Sequence, residues 1–213
     1  MFHRIFVFIS TLLIVLEASA QGQDEHLAAQ YFANGEYEKA SVVYERLLSK
    51  KTADVFVYDN LLKCYINLKS FDEAERVIKR SQKQNYTNPS FAVDLAYIAK
   101  LKGKTDVFRS RCEALIKNMK ADEAFAEQLS KAFQKRGEYA YAAEVYLKFR
   151  KLSKAELAFS LELAELFAQQ GLEVEMITEF LNLLSYDDSQ LDNVQSFLSE
   201  YFEGKKEGVD LLK

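Results

Sequence analysis

The sequence predicts an all-α solenoid built of helix pairs. Three observations point to it. A glycine or a polar residue recurs every 34 residues, at Gly35, Lys69, Gly103, Gly137, Gly171 and Lys205, and a fixed period of this length is the signature of a repeat architecture. Companion columns travel with that period. Eight residues before the markers stand Leu27, Leu61, Leu95, Leu129 and Leu163; four before stand Tyr31, Tyr65, Ala99, Phe133 and Phe167; five after stand Ala40, Ala74, Phe108, Ala142 and Met176; nine after stand Tyr44, Ile78, Cys112, Tyr146 and Phe180. Finally, 213 residues contain one proline and seven glycines, which suits helices joined by short turns.

Each element follows from these columns. The leucine, small and aromatic positions before a marker recur at helical spacing and share one face of a first helix. The marker permits a turn. The alanine and aromatic positions after it form the face of a second helix, and small residues opposite aromatic ones let two helices approach closely. One pair cannot bury its own apolar face; stacked pairs can. First helices are expected at about 22–34, 55–68, 89–102, 122–136 and 155–170, and second helices at about 37–50, 71–84, 105–118, 139–151 and 173–186. Local signals support the starts: Asp54 and Asp122 as N-caps, Pro89 in a first turn, and Ser70–Glu73 and Ser153–Glu156 as capping boxes. An eleventh helix, about 190–203, keeps the first-helix pattern through Val194, Phe197, Leu198 and Tyr201. The register then fades: Asp210 occupies the alanine column, and Gly204 and Gly208 flank a charged stretch. This half unit fits either a solvating cap or the opening of a longer repeat array.

The pattern resembles the tetratricopeptide repeat (TPR) family. Leu27-Ala28-x-x-Tyr31-x-x-x-Gly35-x-Tyr37-x-x-Ala40-x-x-x-Tyr44 carries the likeness in the first unit, and Leu129, Phe133, Gly137, Tyr139, Ala142 and Tyr146 carry it in the fourth. The family's tryptophan and unit-ending proline are absent, and Phe108 and Met176 replace alanine in units three and five. The resemblance implies a right-handed superhelical solenoid of five TPR pairs plus a C-terminal helix, with repeats at about 21–54, 55–88, 89–122, 123–156 and 157–190 and a partial unit at 191–213. It also implies a protein- or peptide-binding groove lined by first helices. The columns facing that groove include Phe32, Phe56, Lys63, Ile66, Val93, Tyr97, Lys100 and Lys131, with Glu25, Asp59, Gln134 and Glu165 among their neighbours. Family members that bind chaperones hold a peptide's terminal carboxylate in a basic and amide clamp; Glu25, Asp59 and Ser90 stand at positions where that clamp wants lysine or asparagine, which argues against this subtype.

Residues 1–20 read as a secretory signal peptide. A basic start at Arg4 precedes the apolar run Ile5–Leu16, and Ala18-Ser19-Ala20 offers small residues for cleavage after Ala20. The run has 12 residues, short of the roughly 20 needed to span a bilayer, so no membrane anchor is expected after cleavage. The expected location is the periplasm or the medium. The formal net charge is −4, with no dominant basic patch, so nucleic acid is a poor partner. Cys64 and Cys112 fall on non-neighbouring helices of the expected solenoid and read as two buried thiols rather than a disulfide.

No catalytic set emerges. His3 leaves with the signal peptide and His26 stands alone, so no metal cluster and no Ser-His-Asp or Cys-His arrangement can be composed. No glycine-rich phosphate loop occurs, and the carboxylates read as a solvated surface. The sequence therefore predicts no enzyme, no cofactor, no metal and no small-molecule substrate. It predicts an exported scaffold or adaptor for protein partners; the alternatives are the recognition region of a longer envelope enzyme or receptor, and self-association through Phe197, Tyr201 and Phe202.

Overall fold

The computed structural model describes residues 22–50, 55–85 and 87–210. The expected signal peptide, the Asp54 cap and Leu211–Lys213 lie outside them. The chain is helical throughout the described residues. After α1 (22–33) come α2 (Tyr37–Lys50), α3 (Val55–Asn67), α4 (Phe71–Gln84), α5 (Ser90–Leu101), α6 (Thr105–Lys117), α7 (Glu123–Lys135), α8 (Tyr139–Ser153), α9 (Ser160–Gln169), α10 (Glu173–Tyr186), a 3₁₀ turn (Asp188–Gln190) and α11 (Leu191–Asp210).

The 34-residue period is a backbone device repeated five times. Gly35, Lys69, Gly103, Gly137 and Gly171 all have left-handed φ, between 55° and 76°. At each, the marker's N–H bonds the carbonyl three residues back, and the next N–H bonds the carbonyl five residues back. In the fourth unit these are Gly137 to Gln134 at 2.9 Å and Glu138 to Phe133 at 3.0 Å. This is the double bond pattern that closes a helix on a left-handed residue. Glycine suits the position because an L-residue there crowds its own carbonyl; Lys69 shows that the turn forms without it.

The columns become the core. Ala40, Ala74, Phe108, Ala142 and Met176 are all buried, as are Tyr44, Ile78, Cys112, Tyr146 and Phe180. The two departures from alanine are accommodated. Phe108 packs edge-on against Tyr141 at 5.7 Å, and Met176 joins Phe180, Ala164 and Val194. Leu61, Leu129 and Leu163 are fully buried, whereas Leu27 is partly exposed. Cys64 and Cys112 are free and buried, and burial pushes the Cys64 thiol up to about 12.

The chain divides into two compact units, Met1–Phe91 with Ile98–Lys104, and Ala92–Tyr97 with Thr105–Lys213. In the first, α3 packs on α2 and α4, and Tyr58 meets Phe91 edge-on at 5.2 Å. In the second, α8 packs on α6, α7 and α9, and α9 on α10, around a core running from Val93 to Leu166.

Several sequence expectations need correction. Ser70 stands at the N-cap of α4 but its hydroxyl makes no cap bond; Glu73 pairs with Arg76 instead of reaching back. The Ser153–Glu156 box does not start α9. Lys154 turns left-handed, α8 ends there, and α9 begins only at Ser160 after a second left-handed residue, Phe159. Tertiary contacts override the local cap signal. The Phe159 ring stacks on Tyr146 at 4.2 Å and meets Phe149 edge-on, while Arg150 Nε donates to the Ala158 carbonyl at 2.6 Å and Nη2 to Ser160 Oγ at 2.8 Å. Lys205 is no turn marker, since α11 continues to Asp210. Lys69 is followed by Phe71, Ala74 and Ile78, an apolar face that rewards a turn; the sequence places Glu207 and Asp210 at the corresponding positions after Lys205. Asp122 does cap α7, accepting from Phe125 N at 3.0 Å. Pro89 sits at the α5 boundary beside Asn88, whose Oδ1 accepts from Ser90 N at 2.9 Å.

Candidate partner-binding surfaces

Each unit leaves one stripe of its first helices open. In the first unit, α3 buries Val57, Tyr58, Leu61, Leu62, Cys64 and Tyr65. Phe56 and Lys63 are exposed and Ile66 half-buried, and they lie at helical spacing along one line. Phe56 is 58% exposed and its neighbour Val55 64%, so the open side of α3 carries two large apolar residues. On α1 the ring in the column of Ile66, Phe32, is half-buried and rests edge-on against Tyr37 at 5.4 Å across the Gly35 turn. Lys100 is exposed in the last turn of α5.

In the second unit the stripe runs along α7 and α9. Lys131 is exposed and its ammonium bonds Glu127 Oε1 at 2.5 Å; that hydrogen bond is the main reason its pKa is raised. Tyr97 is half-buried, with the Arg136 guanidinium over its ring at 5.6 Å. Arg136 is itself fixed by Asp94, through contacts of 2.6 Å with both side chains more than nine-tenths buried. Val93 is the exception among the expected groove residues: it is fully buried in the core and cannot touch a partner, on a helix that also buries Phe91, Asp94, Ala96, Ile98 and Ala99. Two carboxylates also depart from the expected solvated surface. Asp94 and Glu179 are buried, each neutralised by an arginine; Arg150 holds Glu179 through two parallel bonds of 2.8 and 2.9 Å.

Between α7, the start of α8, α9 and α11, still within the second unit, lies an open cavity of about 350 Å³ lined by Gln134, Tyr139, Glu165, Leu166, Gln169 and Phe197. Gln134 Nε2 donates to Ser130 Oγ at 3.2 Å. Partial loss of water raises the Glu165 carboxyl above the ordinary range, and the nearby Glu162 charge raises it further. The family resemblance picks out Gln134 and Glu165 as groove-facing but misses Tyr139, Leu166, Gln169 and Phe197. Gln169 was within reach, standing one helical turn beyond Glu165.

Among the described residues no group of three or more His, Cys, Asp or Glu could hold a metal ion, and no helix is long and apolar enough to cross a membrane. No protein-family model matches the chain, and no curated protein matches it. Solved structures do. MamA (residue 41 to the end) from Desulfovibrio magneticus RS-1 is 14% identical, over 80% of this chain and 96% of that one, with a TM-score of 0.40. A second MamA crystal structure is 14% identical over 81% and 94%, at 0.39. TTC0263, a thermophilic TPR protein of Thermus thermophilus, is 17% identical over 85% and 98%, at 0.41. Likeness at this level lends no functional inference. The chain's own five left-handed turns establish its fold, a TPR-like succession of helix pairs in a 34-residue register.

Proposed function

We propose that this protein is an exported scaffold that binds protein partners along the first-helix stripes of its repeats. One observation supports the reading above the others: Phe56, a large ring, stays 58% exposed beside Val55 at 64% and in line with Lys63, on a helix that buries its opposite face. Aromatic residues with charged neighbours are the anchors that protein interfaces favour. Phe32, Ile66, Lys100, Tyr97 and Lys131 extend the surface within their own units. Export rests on the apolar run and small residues before Gln21; N-terminal sequencing of the exported protein should begin at or beside Gln21, and a start elsewhere removes that part. The binding reading is tested by capture from an envelope extract with the purified chain. The double variant Lys63→Glu with Tyr97→Ala should lose the partners that the parent captures; an unchanged set of partners refutes it.

A further inference from the structure

The cavity between α7, α9 and α11 is chemically one-sided. The ionisable side chains in its lining are Glu165 and the Tyr139 phenol, and among the described residues Glu165 has no hydrogen-bond or ion-pair partner. The adjoining stripe carries Glu127 and Glu162 against Lys131, and Lys131 is already bonded to Glu127. The remaining polar groups are two amides. Gln134 uses its NH₂ on Ser130, which leaves its carbonyl oxygen as an acceptor, and Gln169 is exposed at the rim. Phe197, Tyr139 and Leu166 supply an apolar wall. About 350 Å³ lies at the small end of the roughly 300–1,000 Å³ spanned by ligand pockets, a space for one side chain rather than a helix.

We infer that this cavity receives an arginine side chain presented by the partner polypeptide. The inference rests on the protein-binding reading above. A guanidinium offers five donors and no acceptor, the complement of a carboxylate flanked by amide oxygens. Its plane stacks on aromatic rings, and its methylene stem packs on apolar surface. Lysine meets the charge but forfeits the planar stacking and the fork of donors. A neutral or acidic occupant leaves the Glu165 charge unmet. Glu165 stands exposed at the cavity rim, and its raised pKa fits the same picture, since among the described residues no cation pairs with it.

The test is an NMR titration of the full purified chain with N-acetyl-arginine amide, with N-acetyl-citrulline amide as the uncharged isostere and Gly-Gly-Arg-Gly-Gly as the polypeptide form. The expected result is saturable shifts at the Leu166 methyls and the Gln134 and Gln169 side-chain amides. Citrulline should bind about tenfold more weakly, as losing a charge-assisted hydrogen bond implies. Glu165→Gln should abolish the preference while leaving shifts elsewhere in the spectrum unchanged. Equal binding of arginine and citrulline, indifference to Glu165→Gln, or no saturable shift overturns the inference. Binding of the single amide but not of the pentapeptide overturns it too, because the site would then take a free basic metabolite. If the titration fails while the Lys63→Glu with Tyr97→Ala variant still loses its captured partners, only the arginine assignment falls.

Discussion

Replacing Lys69 by glycine should stabilise the protein. Lys69 holds the left-handed turn position that glycine holds in the four other units, with φ of 55°. An L-residue in that region carries a penalty of roughly 1–2 kcal/mol. Glycine removes it but gains more freedom in the unfolded chain, which returns about 0.5–1 kcal/mol. The Lys69 side chain is exposed and has no bonded partner among the described residues, so its loss subtracts nothing further. The net expected gain is about 0.5–1 kcal/mol, or a rise in Tm of about 1–4 °C for a domain of this size. Differential scanning calorimetry and urea denaturation of Lys69→Gly beside the parent would measure it. The converse control is Gly137→Ala. A Cβ there meets nothing within 4 Å, so only the conformational penalty remains, and about 1 kcal/mol should be lost. An unchanged or lowered Tm for Lys69→Gly would refute the reasoning that the period marks a shared left-handed turn.

Three further outcomes follow from the charge arrangement. Glu179→Ala should cost about 3 kcal/mol or more in urea denaturation, because Arg150 would be left nearly buried and unneutralised; Arg150→Met with Glu179→Leu should recover most of it. Lys102 holds the Asp72 and Glu75 carboxyls below their usual range, chiefly by hydrogen bonds of 2.7 and 3.0 Å. A lowered folded pKa stabilises above the ordinary carboxylate value and loses that effect as pH falls through the folded value, so the advantage of the parent over Lys102→Met should hold at neutral pH and vanish in strong acid. Glu165 has the opposite sign. Its folded pKa lies above the ordinary 4.5, so its contribution is full below that value and is lost as pH rises through the raised one. Glu165→Gln should therefore be more stable than the parent at neutral pH, with the difference fading in acid; Glu162, Glu127, Lys131 and Tyr139, which share its surroundings, are unchanged in both proteins. Equal stability at every pH would contradict the desolvation of Glu165.

The fold was legible in the sequence wherever a local rule met no tertiary competitor. Gly35, Gly103, Gly137 and Gly171 announce turns through their own conformational freedom, and the alanine and aromatic columns announce a core because their spacing matches a helix face. Legibility failed where contacts distant in sequence decided the outcome. Ser153 and Glu156 compose a valid capping signal, yet the rings of Tyr146 and Phe149 and the reach of Arg150 toward Ala158 and Ser160 delay α9 by about a turn. Lys205 copies the position of Lys69 without the apolar residues that make a turn worthwhile. The candidate surface divides in the same way. Phe56 and Lys63 are exposed, whereas Val93 is buried, on a helix that also buries Phe91, Asp94, Ala96, Ile98 and Ala99. The cavity around Glu165 needs Phe197 from another helix, a meeting no periodicity reveals.

The most direct measurement of the central claim is a quantitative partner capture that compares two surface changes of similar chemistry. Phe56→Asp alters the open stripe of a first helix, and Val42→Asp alters a still more exposed apolar residue, 70% accessible, on second helix α2. With both variants shown to be folded by circular dichroism, Phe56→Asp should lose the captured partners and Val42→Asp should keep them. Retention by both, or loss from Val42→Asp alone, would contradict it.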